Sequence, residues 1–124
     1  FRLSPRGGIT VPLKISSREV NNVTVLDLEG KIILGEECNA LRERVKQLLA
    51  ANRKKILLNL AGVSFIDSAG VGTLVSTFTS SKAQEGELRL VNLTKKFYET
   101  LQVTRLLTVF EVFTNEAEAL ASFR

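Results

Sequence analysis

The sequence contains no histidine, methionine or tryptophan, and it has one cysteine, Cys38, in 124 residues. Without an imidazole, neither a Ser-His nor a Cys-His catalytic pair can form, and a zinc site with histidine ligands is excluded. One thiol cannot form a thiolate metal cluster or an internal disulfide, and sparse cysteine agrees with a reducing compartment. We therefore predict a binding protein rather than an enzyme, with no metal or other cofactor.

Long apolar runs are missing as well. No stretch approaches the roughly 18 apolar residues that a membrane span requires, and no secretory signal pattern is present. We therefore expect a cytoplasmic protein that does not contact a membrane.

Lysine and arginine exceed aspartate and glutamate by 17 to 13. These basic residues are spread through the chain without the interleaved aromatics that stack on bases, so no direct nucleic-acid contact is predicted.

A hydrophobic fraction of 44% in a chain of this length suits one domain with one core. Residues 1–8 are expected to form a flexible N-terminal segment, and periodicity then predicts nine elements separated by turns and loops. They are strands 9–16 and 23–32, helix 35–51, strand 55–60, helix 68–83, strand 87–92, helix 94–101, strand 108–113 and helix 115–123, with a loop over 61–67. This order favours an α/β fold with a small mixed sheet and helices mainly on one face.

The spacing of apolar residues predicts that both faces of the sheet are covered. Val23 and Val25 share one phase of their strand, whereas Leu26 and Leu28 share the other. The nearly continuous apolar run 55–60 is typical of a central strand that is buried on both faces.

Two short helices carry recognisable start signals. Thr94 is predicted to cap a short amphipathic helix, and Asn115 is predicted to cap the last helix. Phe97, Tyr98 and Leu101 of the first of these helices are assigned to the core by their spacing.

The stretch "VSFIDSAGVGTLVSTF" (63–78) places the hydroxyl of Ser68 between an apolar segment and a helix. A nucleophile elbow needs glycine two residues before the serine, but Ile66 stands there and no histidine is available. The spacing of glycines, with no lysine after them, also completes neither of the common phosphate-binding patterns. Asp67 or Ser68 is therefore predicted to cap the helix by accepting a bond from a free backbone amide.

A cap does not account for the two glycines, Gly70 and Gly72, in the first turns of the predicted helix. Each costs about 1 kcal/mol of helix propensity relative to alanine. Two explanations stay open at this point. The glycines allow close packing of the helix on the sheet, or they clear the surface beside Ser68 so that a partner can approach closely.

The segments "LLNLAGVSFIDSAGVGTLV" and "LRLVNLTKKFYETLQVTRLLTVFEVFTNEAEAL" strongly resemble the STAS domain of bacterial anti-sigma-factor antagonists. The resemblance implies a STAS domain over residues 9–124, and a serine, Ser68, that a partner kinase phosphorylates. That partner is an anti-sigma factor of the GHKL ATPase type, which the unphosphorylated form binds so that a sigma factor is freed for transcription. A PP2C-type phosphatase would restore the unmodified state. The implied contacts at the loop and helix start are Asp67, Ala69, Gly70, Gly72 and Thr73.

The chain departs from the family pattern at two positions. Ala69 stands where many members have a second serine, so Ser68 is the implied acceptor. Lys31 follows Gly30 where many members carry an aspartate nearby. The second departure leaves an alternative open, namely a non-switching accessory or scaffold STAS domain of a transporter, lipid-transport or signalling complex. A monomer or weak dimer is expected in either case.

Overall fold

The computed structural model describes residues 13–105 and 109–123. The predicted flexible segment 1–8 and the first residues of the predicted strand 9–16 lie outside this part of the chain. The elements are β1 (Leu13–Val20), β2 (Val23–Ile32), α1 (Glu36–Ala50), β3 (Lys55–Ile66), α2 (Ser68–Ala83), β4 (Glu87–Val91), α3 (Lys95–Val103), β5 (Val112–Phe113) and α4 (Glu116–Ala121).

The five strands form one sheet in the order β1-β2-β3-β4-β5. β1 pairs with β2 in antiparallel orientation, and the other three pairs are parallel. From β2 to β5, each strand is therefore added on the same side of the preceding one. Because crossovers between parallel strands are right-handed, α1, α2 and α3 all lie on the same face of the sheet. The predicted mixed α/β fold is confirmed, and so is the covering of mainly one face by helices.

Two apolar clusters cover the sheet from opposite sides. Leu26 and Leu28 belong to the larger cluster, to which α1, α2 and α3 contribute their apolar faces. Val23 and Val25 belong to a smaller cluster with Ala119 of α4. The prediction that both phases of β2 are buried is therefore confirmed.

The strand β3 is twice as long as the sequence indicates, because 61–66, predicted as loop, continues it. The β2–β3 register shifts between Asp27 and Glu29 and again beyond Gly30, so β3 holds extra residues opposite β2. Such bulges interrupt the alternation of apolar and polar residues on which strand prediction depends. Gly62 lies at the first shift, where an added Cβ would stand 2.8 Å from the carbonyl oxygen of Leu28.

Two further expectations are corrected. β5 contains only Val112 and Phe113 of the predicted strand 108–113, whose first residue lies outside the described part. Phe97 is buried as predicted, but 45% of Tyr98 is exposed. The next position along a helix is turned by about 100°, so Tyr98 is carried off the stripe that Phe97 defines.

Candidate partner-binding site

The junction between β3 and α2 is built by Asp67, which caps the helix. Its backbone is extended, and its carboxylate oxygen Oδ1 accepts a hydrogen bond of 2.8 Å from the amide of Gly70. This bond satisfies one of the amides that a helix N-terminus leaves without an intrahelical partner. The structure therefore assigns the predicted cap to Asp67, and Ser68 occupies the first position of α2.

The second carboxylate oxygen of Asp67 holds the turn that precedes α1. Oδ2 accepts a hydrogen bond of 3.0 Å from the amide of Leu34, and the Asp67 amide donates to the carbonyl oxygen of Ile32 at 3.3 Å. The bond from Leu34, followed by those from Gly70 and Ala69, holds the pKa of Asp67 below its ordinary value, because backbone donors favour the charged form. A fixed negative charge consequently stands beside Ser68.

Ser68 is exposed at the tip of α2. Its neighbour Ala69 is half-buried and packs against the main core cluster, so the first turn is anchored on one side and open on the other. The serine hydroxyl is therefore within reach of another protein without unfolding of the helix.

The two glycines of α2 have different environments. An added Cβ on Gly70 would lie 2.2 Å from the carbonyl oxygen of Ile32 and 2.6 Å from the side chain of Ile66. An added Cβ on Gly72 would meet nothing within 4 Å. Close packing on the sheet thus explains Gly70, whereas Gly72 leaves a bare position on the exposed side of the helix.

Thr73 faces inward rather than towards solvent. Only 1% of its surface is exposed. Its hydroxyl donates to the carbonyl oxygen of Ala69 at 2.9 Å and accepts from the guanidinium of Arg42 at 3.2 Å. Thr73 therefore connects α1 to the first turn of α2, and the structure gives it little surface for the direct partner contact that the resemblance implies.

Two exposed apolar residues near Ser68 were missed by the sequence analysis. Leu34 is 77% exposed in the turn that Asp67 holds, and Phe65 is 42% exposed near the end of β3. The ammonium group of Lys96, on α3, lies 5.6 Å from the centroid of the Phe65 ring. Both apolar residues lie in segments that read as loop or strand end, where an isolated apolar residue carries no periodic signal.

A cleft of about 810 Å³ lies on the α3 side of the same edge of the sheet. Its lining combines β3, the β4–α3 loop, α3 and the segment around β5, through Ala61, Asn92, Leu93, Thr94, Tyr98, Phe110, Val112, Phe113 and Thr114.

Across the described ranges, no group of three or more acidic or cysteine side chains is arranged to hold a metal ion. None of the helices in those ranges combines the length and apolar character that membrane crossing requires.

The fold and this junction define a class of small mixed α/β domains that present a serine at the start of a helix. The chain belongs to the STAS domain family, whose pattern it matches over residues 14–119. The structure resembles the crystal structure of a Thermotoga maritima protein with a TM-score of 0.78 at 25% identity, over 89% of this chain and 94% of that one.

Two bacterial relatives carry the same name. A protein of Bacillus subtilis named anti-sigma-B factor antagonist is 33% identical over 81% of this chain and 90% of its own length. A Listeria monocytogenes protein of that name is 24% identical over 89% of this chain and 95% of its own length. The family suggested by the sequence resemblance is thereby confirmed.

Proposed function

We propose that this chain is an anti-sigma factor antagonist whose binding to its partner is controlled by phosphorylation of Ser68. In the unmodified state it binds an anti-sigma serine kinase and so frees a sigma factor, and phosphorylation of Ser68 ends this binding. The observation that carries the proposal is an exposed serine on a hydrogen-bonded junction, near the open position of Gly72, in a chain whose relatives are named antagonists.

The switch follows from the charges at the junction. Phosphorylation adds about −1.5 to −2 charges and three acceptor oxygens. The N-terminus of α2 stabilises this charge by roughly 0.3–1 kcal/mol, so the domain stays folded. In a close interface, however, the phosphate is desolvated beside the carboxylate of Asp67. A penalty of about 4 kcal/mol would lower the affinity roughly 10³-fold.

The partners of this cycle have complementary chemistry. A kinase of the GHKL ATPase type would transfer the γ-phosphoryl group of ATP to the Ser68 hydroxyl oxygen, releasing the hydroxyl proton and ADP. A PP2C-type phosphatase would transfer that group to water and restore the hydroxyl. The chain itself supplies the acceptor and the binding surface, so it acts as a cytoplasmic binding protein and not as the enzyme.

The experiment uses each purified GHKL-type serine kinase encoded in the genome that supplies this chain. Wild type and Ser68→Ala should bind one of these kinases with similar affinity in the presence of ADP, whereas Ser68→Asp should bind at least about 100-fold more weakly. With ATP, mass mapping should find phosphate on Ser68 and none in Ser68→Ala. Ser80→Asp, an exposed change farther along α2, is the matched control.

Two results would contradict the proposal. If no kinase of the panel binds, the antagonist role is wrong. If Ser68→Asp binds as tightly as wild type, the chain does not switch, and the alternative of an accessory or scaffold STAS domain is favoured.

A further inference from the structure

Phe65 is an exposed aromatic residue with basic neighbours on two elements. The ammonium group of Lys96 lies 5.6 Å from its ring centroid, close enough for a cation–π interaction. Lys31 is the direct partner of Phe65 in the β2–β3 register, and its side chain is exposed. These three residues, here called the Phe65 patch, combine an apolar centre with a positive rim.

The Phe65 patch is continuous with the proposed switch site. Phe65 precedes Ser68 by three residues on the strand end that leads into α2. On the other side of the junction, Asp67 holds the turn that exposes Leu34. The hydrogen-bonded junction therefore carries two exposed apolar side chains beside Ser68, the proposed phosphoacceptor. Contiguous apolar surface with a polar rim marks protein-interaction sites, and the lysines beside Phe65 supply such a rim.

We propose that the Phe65 patch docks an apolar pocket edged by carboxylates on the anti-sigma partner. This inference rests on the proposed function. Exposed acids that lie close to these residues along the chain are Glu29, two residues before Lys31, and Glu99, three residues after Lys96, and Glu36 follows Leu34 by two residues. The carboxylate of Asp67 is also negative, but its two oxygens are directed at the backbone amides of Leu34 and Gly70. The lysines that flank the ring thus favour an acidic partner over a basic one.

An acidic partner edge also makes the switch sharper. In the unmodified state, the partner carboxylates pair with Lys96 and Lys31. After phosphorylation, the same carboxylates face a dianion on Ser68, and the like charges repel each other. Salt screens both interactions, which lowers the affinity where the charges attract and raises it where they repel. The affinity of wild type should therefore fall as salt rises, whereas the weak affinity of Ser68→Asp should fall less or rise.

The test measures affinities for the kinase that the panel identifies, with ADP, at about 50 and 500 mM salt. Phe65→Ala should weaken binding at least tenfold, as expected for an aromatic anchor. Lys96→Glu, which keeps the ring, should weaken it at least tenfold and remove most of the salt dependence. Urea unfolding of each variant separates lost binding from lost folding.

Matched controls exist at the far end of the molecule. Lys82 lies 5.7 Å from the Phe78 ring centroid near the end of α2, so Lys82→Glu changes the same charge in the same kind of pair. Val103 is exposed at the end of α3, so Val103→Ala removes exposed apolar surface elsewhere. Neither control should change affinity more than about twofold.

The outcomes separate this inference from the proposed function. If Ser68→Asp loses binding while Phe65→Ala and Lys96→Glu bind as wild type does, the switch stands and the docking patch is wrong. If the Phe65 and Lys96 variants lose binding while Ser68→Asp keeps it, the patch stands and the switch is wrong. If no kinase binds, both fall together.

Discussion

The carboxylate of Asp67 and the backbone amide of Leu34 are joined by a hydrogen bond of 3.0 Å between residues 33 positions apart. The other oxygen of the same carboxylate caps α2 through the amide of Gly70. One side chain therefore fixes the strand end, the turn before α1 and the helix that carries Ser68. The proposed partner would meet a preformed surface, which lowers the ordering entropy lost on binding.

The first prediction concerns this double role of Asp67. Asp67→Ala should lower the free energy of unfolding by about 1–2 kcal/mol, because the helix loses its cap. It should also speed amide hydrogen exchange at Leu34, which loses its acceptor. Urea unfolding and exchange measured by NMR test both effects. Asn115→Ala removes the cap of α4 and is the control, since it should leave exchange at Leu34 unchanged. If the amide of Leu34 exchanges at the wild-type rate in Asp67→Ala, Asp67 does not hold the turn before α1.

The second prediction compares two glycines of one helix. Gly70→Ala should destabilise the domain by about 2 kcal/mol or more, because the new methyl group would stand 2.2 Å from the Ile32 carbonyl oxygen. Gly72→Ala meets open space and should stabilise the domain by about 0.5–1 kcal/mol. Urea unfolding measures both changes. Kinase affinity should fall in Gly72→Ala despite the gain in stability, and equal affinity would remove Gly72 from the proposed contact surface.

The third prediction concerns the buried hydroxyl of Thr73. Thr73→Val should cost about 1 kcal/mol of stability, because the bonds to the Ala69 carbonyl and from Arg42 are lost. Kinase affinity should change less than threefold, since the buried side chain of Thr73 offers little surface to a partner. Thr79 makes a similar bond to the carbonyl oxygen of Val75 in an exposed position, so Thr79→Val is the control. A loss of affinity above tenfold in Thr73→Val alone would show that Thr73 contacts the partner.

The fourth prediction concerns Arg18, whose guanidinium donates to Asp27 and Glu116 at distances of 2.7 to 3.1 Å. These bonds hold the pKa of Asp27 below its ordinary 3.8 and that of Glu116 below its ordinary 4.5. A carboxyl with a lowered folded-state pKa stabilises the fold above its unfolded-state pKa. That stabilisation is lost as the pH falls through the folded-state value.

Replacing Arg18 with glutamine should therefore cost about 1 kcal/mol at pH 7, a modest value because all three side chains are partly exposed. The difference from wild type should shrink as the pH falls below about 4. Urea unfolding at several pH values measures it. Arg53 and Glu19 form a pair with more exposed side chains, and Arg53→Gln should have little effect at any pH. A difference that persists unchanged at pH 2 would contradict the ionic origin.

Structural features that depend on a few neighbouring residues could be predicted from the sequence. Thr94 and Asn115 were predicted as caps, and their side chains accept from the amides of Phe97 and Glu118 as expected. A cap depends on one side chain and the next turn of backbone, so local sequence contains the required information. The phases of β2 were equally readable, because alternation reports which face of a strand is buried.

Contacts between distant segments were not readable in the same way. The bulges that extend β3 to Ile66 depend on how β2 passes it, and Gly62 is explained by the nearby backbone of Leu28. Phe65 lies in that extension and pairs there with Lys31. The lysine above its ring comes from α3, which lies far along the chain.

The sequence by itself determined the order of the elements, the STAS pattern and the serine at the start of α2, because periodicity and motif spacing are local properties. Only the tertiary structure decided that Asp67 holds Leu34, that Gly70 packs on the sheet while Gly72 stays open, and that Thr73 turns inward. Gly70, Gly72 and Thr73 lie within one helix turn, and the sequence around them does not show which of them faces the sheet. Their roles separate only when the sheet and α1 are placed against them.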